Sequence, residues 1–250
     1  VTAAQRGHEV TVFDKSDKVG GALLGYAAND LANRNDLFSV ISYYEAVAKK
    51  QGVELRLGTM VDPKLMREML HTYDVAVIAT GTALHRAALP PCEDGRKIMD
   101  ALDVALGKEK AVGTVAVLGG GKVGLTVAES LATQGHKVTI IETQKRLAGD
   151  VMPSFKWRHS AWVEELKIAS ITGARTLKVA ADGVHVVDGK GENRIVAADT
   201  VIAASPRIAS RALMQDFEWM IDELHICGDA VLPRGLGQSI HDGYRLGCRI

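Results

Sequence analysis

Short apolar runs rich in β-branched residues alternate along the chain with segments whose apolar positions recur every three or four residues. Such runs are typical of strands buried on both faces of a parallel sheet, and the intervening periodicity is typical of amphipathic helices. The alternation predicts an α/β fold built on parallel sheets. The predicted strands are residues 9–13, 53–57, 73–81, 114–118, 137–141 and 198–205.

Helices are predicted between these strands, and each ends near a glycine that can cap it. One helix ends before Gly7, and another carries Val123, Val127 and Leu131 on its apolar face and ends before Gly135. A third ends near residue 52, and its predicted buried face consists of Leu37, Val40, Ile41, Tyr44 and Val47.

The segment from about residue 150 to residue 200 predicts a helix followed by a small group of strands. Val163, Leu166 and Ile168 suggest the helix, and paired Asp-Gly residues are typical of the tight turns between short strands. The three strands are predicted near Arg175, Val184 and Arg194, with turns at 182–183 and 188–189.

The chain repeats one pattern at a fixed distance. GHEVTVFDKSDKVGG at residues 7–21 returns as GHKVTIIETQKRLAG at residues 135–149, an offset of 128 residues. The apolar pair at residues 78–79 returns at residues 202–203, an offset of 124 residues. The repeats predict two doubly wound, Rossmann-like units, each with its own nucleotide.

The second copy contains a complete nucleotide-binding pattern. Gly119, Gly121 and Gly124 form G-x-G-x-x-G between a predicted strand and a predicted helix, and Lys122 and Val123 lie inside the loop. The first glycine of this motif allows the turn, the second lets a pyrophosphate approach the backbone, and the third lets helix and strand pack closely. The helix N-terminus then stabilises the anion.

Glu142 completes the pattern, because it ends the next predicted strand 18 residues after Gly124. An acid at that place accepts hydrogen bonds from a ribose 2′-OH and repels a 2′-phosphate, so the sequence favours NAD(H) over NADP(H). Lys145 and Arg146 lie close enough along the chain to limit this preference. The alternative is a glycine-rich turn that only packs, with Lys122 in solvent.

In the first copy, Asp14 takes the place of the ribose acid, but the corresponding glycine loop would fall upstream of Val1. We therefore expect the chain to start inside the first helix of a nucleotide-binding domain and to lack that domain's first strand and phosphate loop. The alternative is a short helix packed on a strand, with Asp14 simply solvated.

Composition excludes several other classes of function. Thirty basic residues balance thirty acidic ones, so no net charge favours nucleic acid or a membrane surface. No apolar run reaches the ~18 residues that a membrane span needs. The scattered cysteines, Cys92, Cys227 and Cys248, favour a reducing compartment such as the cytoplasm and form no Cys-x-x-Cys pair. No metal site is predicted.

Four motifs, in order along nearly the whole chain, resemble those of the flavoproteins with two dinucleotide-binding domains, the class of glutathione reductase and ferredoxin reductase. They are GHEVTVFDKSDKVGG, YDVAVIATG, the glycine loop and LHICGDAV. The resemblance implies an FAD domain at residues 1–84 and 205–250 with an NAD domain inserted at residues 85–204. It also implies FAD contacts from Asp14, Lys15, Gly20, Gly21, Ala79, Thr80, Gly81, Gly228 and Asp229.

Asp229 has an alternative role, because it also lies where it could cap the last predicted helix, expected to begin near Gly237 or Gln238.

Two further segments, ALDVALGKEKAVGTVAVLGGGKVG and GDAVLPRGLGQSIHDGYRLGCRI, resemble the C-terminal half of the 2,4-dienoyl-CoA reductase, 2-enoate reductase and trimethylamine dehydrogenase group. That resemblance implies electron flow from NADH to FAD and on to a barrel that reduces an activated C=C bond. FMN and a 4Fe-4S cluster are expected only in that absent N-terminal barrel, which a partner subunit could also supply. Homo-oligomerisation is compatible with the sequence.

Two other functions fit the same residues. One is a stand-alone NADH:acceptor reductase, and the other is a non-catalytic module whose nucleotide sites hold an ADP-type ligand. The intact glycine loop with Glu142 favours a working NAD site. Because hydride moves between cofactors, no catalytic acid or base is assigned, and neither His8 nor His136 is given a catalytic role.

Overall fold

The computed structural model describes residues 1–69, 71–218 and 220–250. Helices and largely parallel strands alternate along the chain, which confirms the predicted α/β class. The helices are α1 (Thr2–Gln5), α2 (Gly21–Asn29), α3 (Arg34–Lys50), α4 (Pro63–Met69), α5 (Ala101–Ala105), α6 (Lys122–Thr133), α7 (Pro153–Glu165), α8 (Ala212–Phe217) and α9 (Leu236–Gly247). The strands are β1 (Thr11–Phe13), β2 (Glu54–Arg56), β3 (Val75–Ile78), β4 (Thr82–Leu84), β5 (Ile98–Asp100), β6 (Val115–Leu118), β7 (Val138–Glu142), β8 (Ala169–Thr172), β9 (Arg175–Ala180), β10 (Gly183–Val187), β11 (Asn193–Val196), β12 (Thr200–Ala203), β13 (Arg207–Ala209) and β14 (Glu223–Ile226).

A five-stranded sheet forms the centre of one compact unit, which comprises Gly25–Arg34 and Leu84–Pro206. Its strand order is β5-β12-β6-β7-β8, and all neighbours pair in parallel. From β6 the chain runs outward through β7 and β8 and later returns to β12 on the other side of β6. Such a reversal leaves a crevice at the carboxyl ends of the strands, where open α/β sheets bind ligands.

The core of this unit lies between the sheet and α6. Every residue of β6 and β12 is buried, as predicted for strands covered on both faces. Leu125, Val127 and Leu131 of α6 are buried in one cluster with Val117 and Ile140. Each such side chain contributes about 1.5–3 kcal/mol when it is removed from water, so this contact fixes the helix on the strands that precede and follow it.

A three-stranded antiparallel sheet, β11-β10-β9, belongs to the same unit and confirms the three predicted short strands. Gly183 begins β10 with φ +131°. A Cβ atom at this position would overlap the carbonyl oxygen of Val196, so the Asp-Gly turn requires glycine here.

The other compact unit comprises Val1–Leu24, Asn35–Ala83 and Arg207–Ile250. In it β1 pairs with β2 and β14 pairs with β3, each in parallel, as two separate two-stranded sheets. Val12 of β1 and Val77 of β3 are each 41% exposed. These strands are therefore much less covered than β6 and β12 of the five-stranded sheet.

The predicted buried face of α3 is only partly covered. Val40 and Ile41 are half-buried, and Tyr44 is 39% exposed, so the prediction that Tyr44 is buried is wrong. The physical reason is that these side chains line an open groove of about 260 Å³, together with Val12 and Leu55, instead of meeting a packed neighbour.

The segment Gly25–Arg34 packs with the unit that contains the five-stranded sheet, whereas the sequence placed it in the first domain. The Asn29 side-chain amide donates to the carbonyl oxygen of Ala105 at 2.9 Å, and the Ser130 hydroxyl donates to Asn29 Oδ1 at 2.7 Å. These polar contacts attach the end of α2 to α5 and α6. The remaining domain boundaries stay a prediction.

Candidate functional site

The glycine loop connects β6 to α6 at the carboxyl end of the sheet, where the strand order reverses. Gly119 has φ +103°, and a Cβ atom there would overlap the Ser205 hydroxyl. A Cβ atom on Gly124 would overlap the carbonyl oxygen of Gly119. The first and third glycines are thus explained by the turn and by the close contact between helix and strand.

Gly121 differs from the other two glycines, because its side-chain position faces the loop that follows β7. A Cβ atom there would lie 2.8 and 2.9 Å from the two carboxylate oxygens of Asp150. Gly121 is also the N-cap residue of α6, so the Asp150 carboxylate lies at the helix N-terminus. Backbone N–H groups at such an end lack partners within the helix and favour negative charge.

Lys122 and Val123, which the sequence pattern places inside the loop, form the first turn of α6. The Lys122 residue is exposed and Val123 is half-buried. The Lys122 backbone N–H donates to Asp150 Oδ1 at 2.7 Å. The helix N-terminus therefore already holds one carboxylate from its own chain.

Glu142 ends β7 beside this loop, and it is only 9% exposed. Its carboxylate accepts hydrogen bonds from the backbone N–H of Gly120, from the backbone N–H of Gln144 at 2.7 Å and from the Thr143 hydroxyl at 3.1 Å. A carboxylate offers about four acceptor positions, so capacity remains for a further donor such as a sugar hydroxyl. Glu142 thus ties the glycine loop to the end of β7.

Asp150 is the residue of this site that the sequence did not reveal. It reaches the loop because the Ala148 backbone N–H donates to the carbonyl oxygen of Gly120 at 2.8 Å. The Leu147 side chain lies directly over Gly120. Nothing in the local spacing marks Asp150, because a turn that the structure alone shows brings it back to α6.

In the other unit, Asp14 follows β1, and its Oδ1 atom accepts from the backbone N–H of Ser16 at 2.8 Å. The Asp14 carbonyl oxygen accepts from the backbone N–H of Thr59 at 2.8 Å, which fixes this turn beside the end of β2. Lys15 is exposed, and Gly20 and Gly21 have φ of +112° and +51°. The carboxylate of Asp14 is thus held at a strand end, as a ribose acid would be.

The segments that follow β3 and β14 lie at one edge, because these strands are parallel neighbours. Ala79 and Thr80 are exposed, and the Thr80 hydroxyl donates to the carbonyl oxygen of Ser210 at 2.6 Å. Gly81 and Gly228 have φ of +68° and +62°, a region that favours glycine. The structure thereby brings the second and last predicted FAD motifs together.

Asp229 lies before α9, and its side chain accepts hydrogen bonds from the backbone just ahead of that helix. Its Oδ1 atom accepts from the backbone N–H groups of Arg234 and Gly235, both at 2.9 Å. Gly235, not Asp229, is the N-cap residue, and α9 begins at Leu236, one or two residues before the start predicted near Gly237 or Gln238. The predicted flavin contact of Asp229 stays a prediction.

A second polar cluster lies within the same unit as the glycine loop. Glu129 of α6 is 1% exposed, and its carboxylate bonds the Nδ1 atom of His159 at 2.7 Å. Burial raises the pKa of the Glu129 carboxyl, and the hydrogen bond to His159 opposes that rise. This hydrogen bond connects α6 to α7 and does not involve the glycine loop.

The described residues contain no group of three or more metal-ligating side chains. The three cysteines are free, and burial together with the charge of Asp242 raises the pKa of the half-buried Cys227 thiol. Across residues 1–69, 71–218 and 220–250, no helix has both the length and the apolar character needed to cross a membrane.

Comparison with known proteins identifies relatives over the whole chain. Residues 1–223 match the family described as pyridine nucleotide-disulphide oxidoreductase. A metal reductase from Desulforamulus reducens is 29% identical, with 97% of this chain and 40% of the relative covered. A cinnamate reductase from Clostridium sporogenes is 26% identical, with 98% of this chain and 36% of the relative covered.

Among solved structures, a 2-naphthoyl-CoA reductase in complex with 2-naphthoyl-CoA matches with a TM-score of 0.92 and 30% identity, covering 99% of this chain and 37% of the other. The chain therefore spans about two fifths of the length of these relatives. The matches confirm the resemblance to flavoproteins with two dinucleotide-binding domains and agree with the C-terminal half of the enoate reductase group. The chain belongs to the pyridine nucleotide-disulphide oxidoreductase family.

Proposed function

We propose that this chain binds FAD in the unit that contains β1 and NADH in the unit that contains β6, and that it passes hydride from NADH to FAD. The observation that supports the proposal is Glu142, a buried carboxylate that accepts from the backbone N–H of Gly120 in a glycine loop at the switch point of a parallel sheet. This arrangement is suited to an adenine dinucleotide without a 2′-phosphate.

The residues around the loop fit a nicotinamide dinucleotide. The N-terminus of α6 offers backbone N–H groups to a pyrophosphate, which would take the place beside Gly121 that the Asp150 carboxylate now fills. Glu142 would accept from the adenosine ribose with its remaining acceptor capacity. Lys122, exposed in the first turn, would add positive charge near the phosphates.

The other unit fits a flavin dinucleotide through the strand ends. Asp14 would hold the ribose of FAD, with Lys15, Gly20 and Gly21 in the following turn. Asp229, at the start of α9, would face the ribityl-phosphate region, with Ala79, Thr80, Gly81 and Gly228 beside it. When both cofactors are bound, the nicotinamide supplies the hydride and the flavin accepts it.

A larger enzyme is the proposed context. The chain covers 36% and 40% of relatives described as a cinnamate reductase and a metal reductase. We place this chain beside a barrel domain, or a partner subunit, that carries FMN and a 4Fe-4S cluster and reduces an activated C=C bond. The chain itself positions the two dinucleotides, and no protein acid or base is needed for the hydride step.

Anaerobic titration of the purified protein with NADH tests the proposal. We expect extraction to release FAD and one equivalent of NADH to bleach the flavin absorption. If the flavin-loaded protein bound NADH but its flavin absorption did not bleach, the chain would be a non-catalytic module and the proposal would be overturned. In the enzyme assembled with its proposed barrel or partner subunit, reoxidation by a small quinone but not by an enoate or enoyl-CoA would instead favour a stand-alone NADH:acceptor reductase.

A further inference from the structure

The Asp150 carboxylate occupies the place that the glycine loop would offer to a pyrophosphate. Its Oδ1 atom accepts from the Lys122 backbone N–H at 2.7 Å, at the N-terminus of α6. Both carboxylate oxygens lie within 3.0 Å of the position that a Cβ atom on Gly121 would take. Gly121 is the second glycine of the motif, the one whose missing side chain normally admits the pyrophosphate.

The loop after β7 holds Asp150 in this position by contacts that do not involve its own side chain. Ala148 has φ +60°, and its backbone N–H donates to the carbonyl oxygen of Gly120 at 2.8 Å. The Leu147 side chain covers Gly120. The backbone before Asp150 is therefore anchored to the glycine loop, whereas residue 150 itself is exposed and its side chain can rotate into solvent.

We propose that Asp150 is an internal competitor for the dinucleotide pyrophosphate and thereby sets the affinity of the NADH site. The carboxylate satisfies the helix N-terminus when no nucleotide is bound, and it leaves when the pyrophosphate enters. Two anions at one helix end repel each other, so nucleotide binding includes the work of displacing Asp150. This inference rests on the proposed function, because it assigns a role at the proposed NADH site.

The competition has a consequence for turnover. Because displacement of Asp150 weakens binding of reduced and oxidised nucleotide alike, it raises KM and speeds release of NAD⁺ without altering the hydride step. The free protein, in turn, keeps its helix end satisfied, since the carboxylate caps an N–H group that would otherwise lack a partner within the helix.

Calorimetric titration with NAD⁺ of the purified holoprotein and its variants tests the competition. Asp150→Asn removes the charge and keeps an acceptor oxygen, whereas Asp150→Ala removes both. We expect both variants to bind NAD⁺ more tightly, Asp150→Ala by about tenfold, the effect of losing one charge-assisted hydrogen bond from the competitor. Titration with adenosine, which has no phosphate, should give the same affinity in all variants.

Asp94→Asn is the matched control, because it makes the same change in charge at an exposed site of the same unit. It should bind NAD⁺ as the wild type does. Asp150→Ala should also melt at a lower temperature than the wild type without nucleotide, and the difference should shrink or reverse with saturating NAD⁺. Asp150→Ser, which can still cap the helix, provides the affinity measurement should the alanine variant fail to fold.

The outcomes separate this inference from the proposed function. Equal or weaker NAD⁺ binding by folded Asp150 variants, with normal binding by the wild type, would overturn the competition alone. Absence of NAD⁺ binding by the wild type and by every folded variant would overturn both the competition and the NADH site. Binding that is measurable only in the Asp150 variants would support the competition.

Discussion

Glu142 illustrates how one side chain serves both the fold and the proposed ligand. Its carboxylate accepts from the backbone N–H groups of Gly120 and Gln144, so it fastens the glycine loop to the end of β7. The same charge would favour a free 2′-hydroxyl over a 2′-phosphate. Removing the charge should therefore change nucleotide preference more than it changes the fold.

We expect Glu142→Gln to lower kcat/KM for NADH by roughly ten- to a hundredfold, the effect of losing a charge-assisted hydrogen bond to the ribose. Glu142→Arg should shift preference further toward NADPH, because a cation replaces the repelling carboxylate. Steady-state kinetics with both nucleotides measure the ratio of kcat/KM for NADH to kcat/KM for NADPH. Glu192→Gln, at an exposed acid of the same unit, should leave the ratio unchanged. An unchanged ratio in both Glu142 variants would remove Glu142 from the nucleotide site.

Glu129 gives a pH-dependent prediction. Burial raises the pKa of this carboxyl above its ordinary value of 4.5, so the folded protein holds the proton more tightly than the unfolded chain does. Its contribution to stability is fully present below 4.5 and is lost as the pH rises through the raised folded pKa. Glu129→Gln, which cannot ionise, should therefore gain stability relative to the wild type as the pH rises.

Urea denaturation of the wild type and of Glu129→Gln, from below pH 4.5 upward, measures the difference between their free energies of unfolding. Glu165→Gln, at an exposed acid near the end of α7, is the control, and its effect should stay within about 0.5 kcal/mol at every pH. Parallel pH profiles for Glu129→Gln and the wild type would contradict the raised pKa.

At the scale of elements, the crossing from β6 to α6 depends on close contact at Gly124. A Cβ atom there would overlap the backbone carbonyl of Gly119, which has no flexible side chain that could move aside. We expect Gly124→Ala to destabilise the protein by about 1–3 kcal/mol, as overpacking does. Gly149→Ala is the control, because no atom lies within 4 Å of its Cβ position. Chemical denaturation measures the unfolding midpoints of Gly124→Ala and Gly149→Ala. Equal midpoints would contradict the close contact between Gly124 and the Gly119 carbonyl.

The elements that carry the nucleotide loop were predictable because their signals are local. Glycine spacing, apolar periodicity and a terminal acid identify β6, α6 and β7 within about thirty residues, the size of a βαβ unit. By contrast, β8 is largely exposed, and its pairing with β7 defines it. Strands of that kind carry little pattern of their own, since their stability comes from the neighbouring strand. Asp150 was missed for a related reason, because a turn rather than a periodic element positions it.

Residues 25–34 also depend on contacts that are distant along the chain. The apolar and polar pattern of α2 does not reveal which unit it packs against, because that choice depends on partners such as Ala105 and Ser130, far away along the chain. The resemblance to flavoproteins with two dinucleotide-binding domains had assigned the segment to the first domain.

For the molecule as a whole, the family description includes disulphide chemistry, but the cysteines of this chain do not support it. All three are free, and the half-buried Cys227 has a raised thiol pKa, which disfavours the reactive thiolate. Replacing Cys92, Cys227 and Cys248 together by Ser should leave NADH-dependent flavin reduction within a few-fold of the wild type. A loss of several orders of magnitude, in a variant with normal flavin content, would reveal a redox thiol.

The proposed activity of the molecule is hydride transfer from NADH to a bound FAD. Anaerobic stopped-flow mixing of the holoprotein with NADH, and with NADH deuterated at the transferred C4 position, measures that transfer. We predict single-turnover bleaching of the flavin that is faster with NADH than with NADPH and that is slowed severalfold by the deuterium. Flavin that stays oxidised would rule out the proposed hydride transfer from NADH. So would bleaching whose rate is unchanged by deuterium at either C4 position and is equally fast with NADPH.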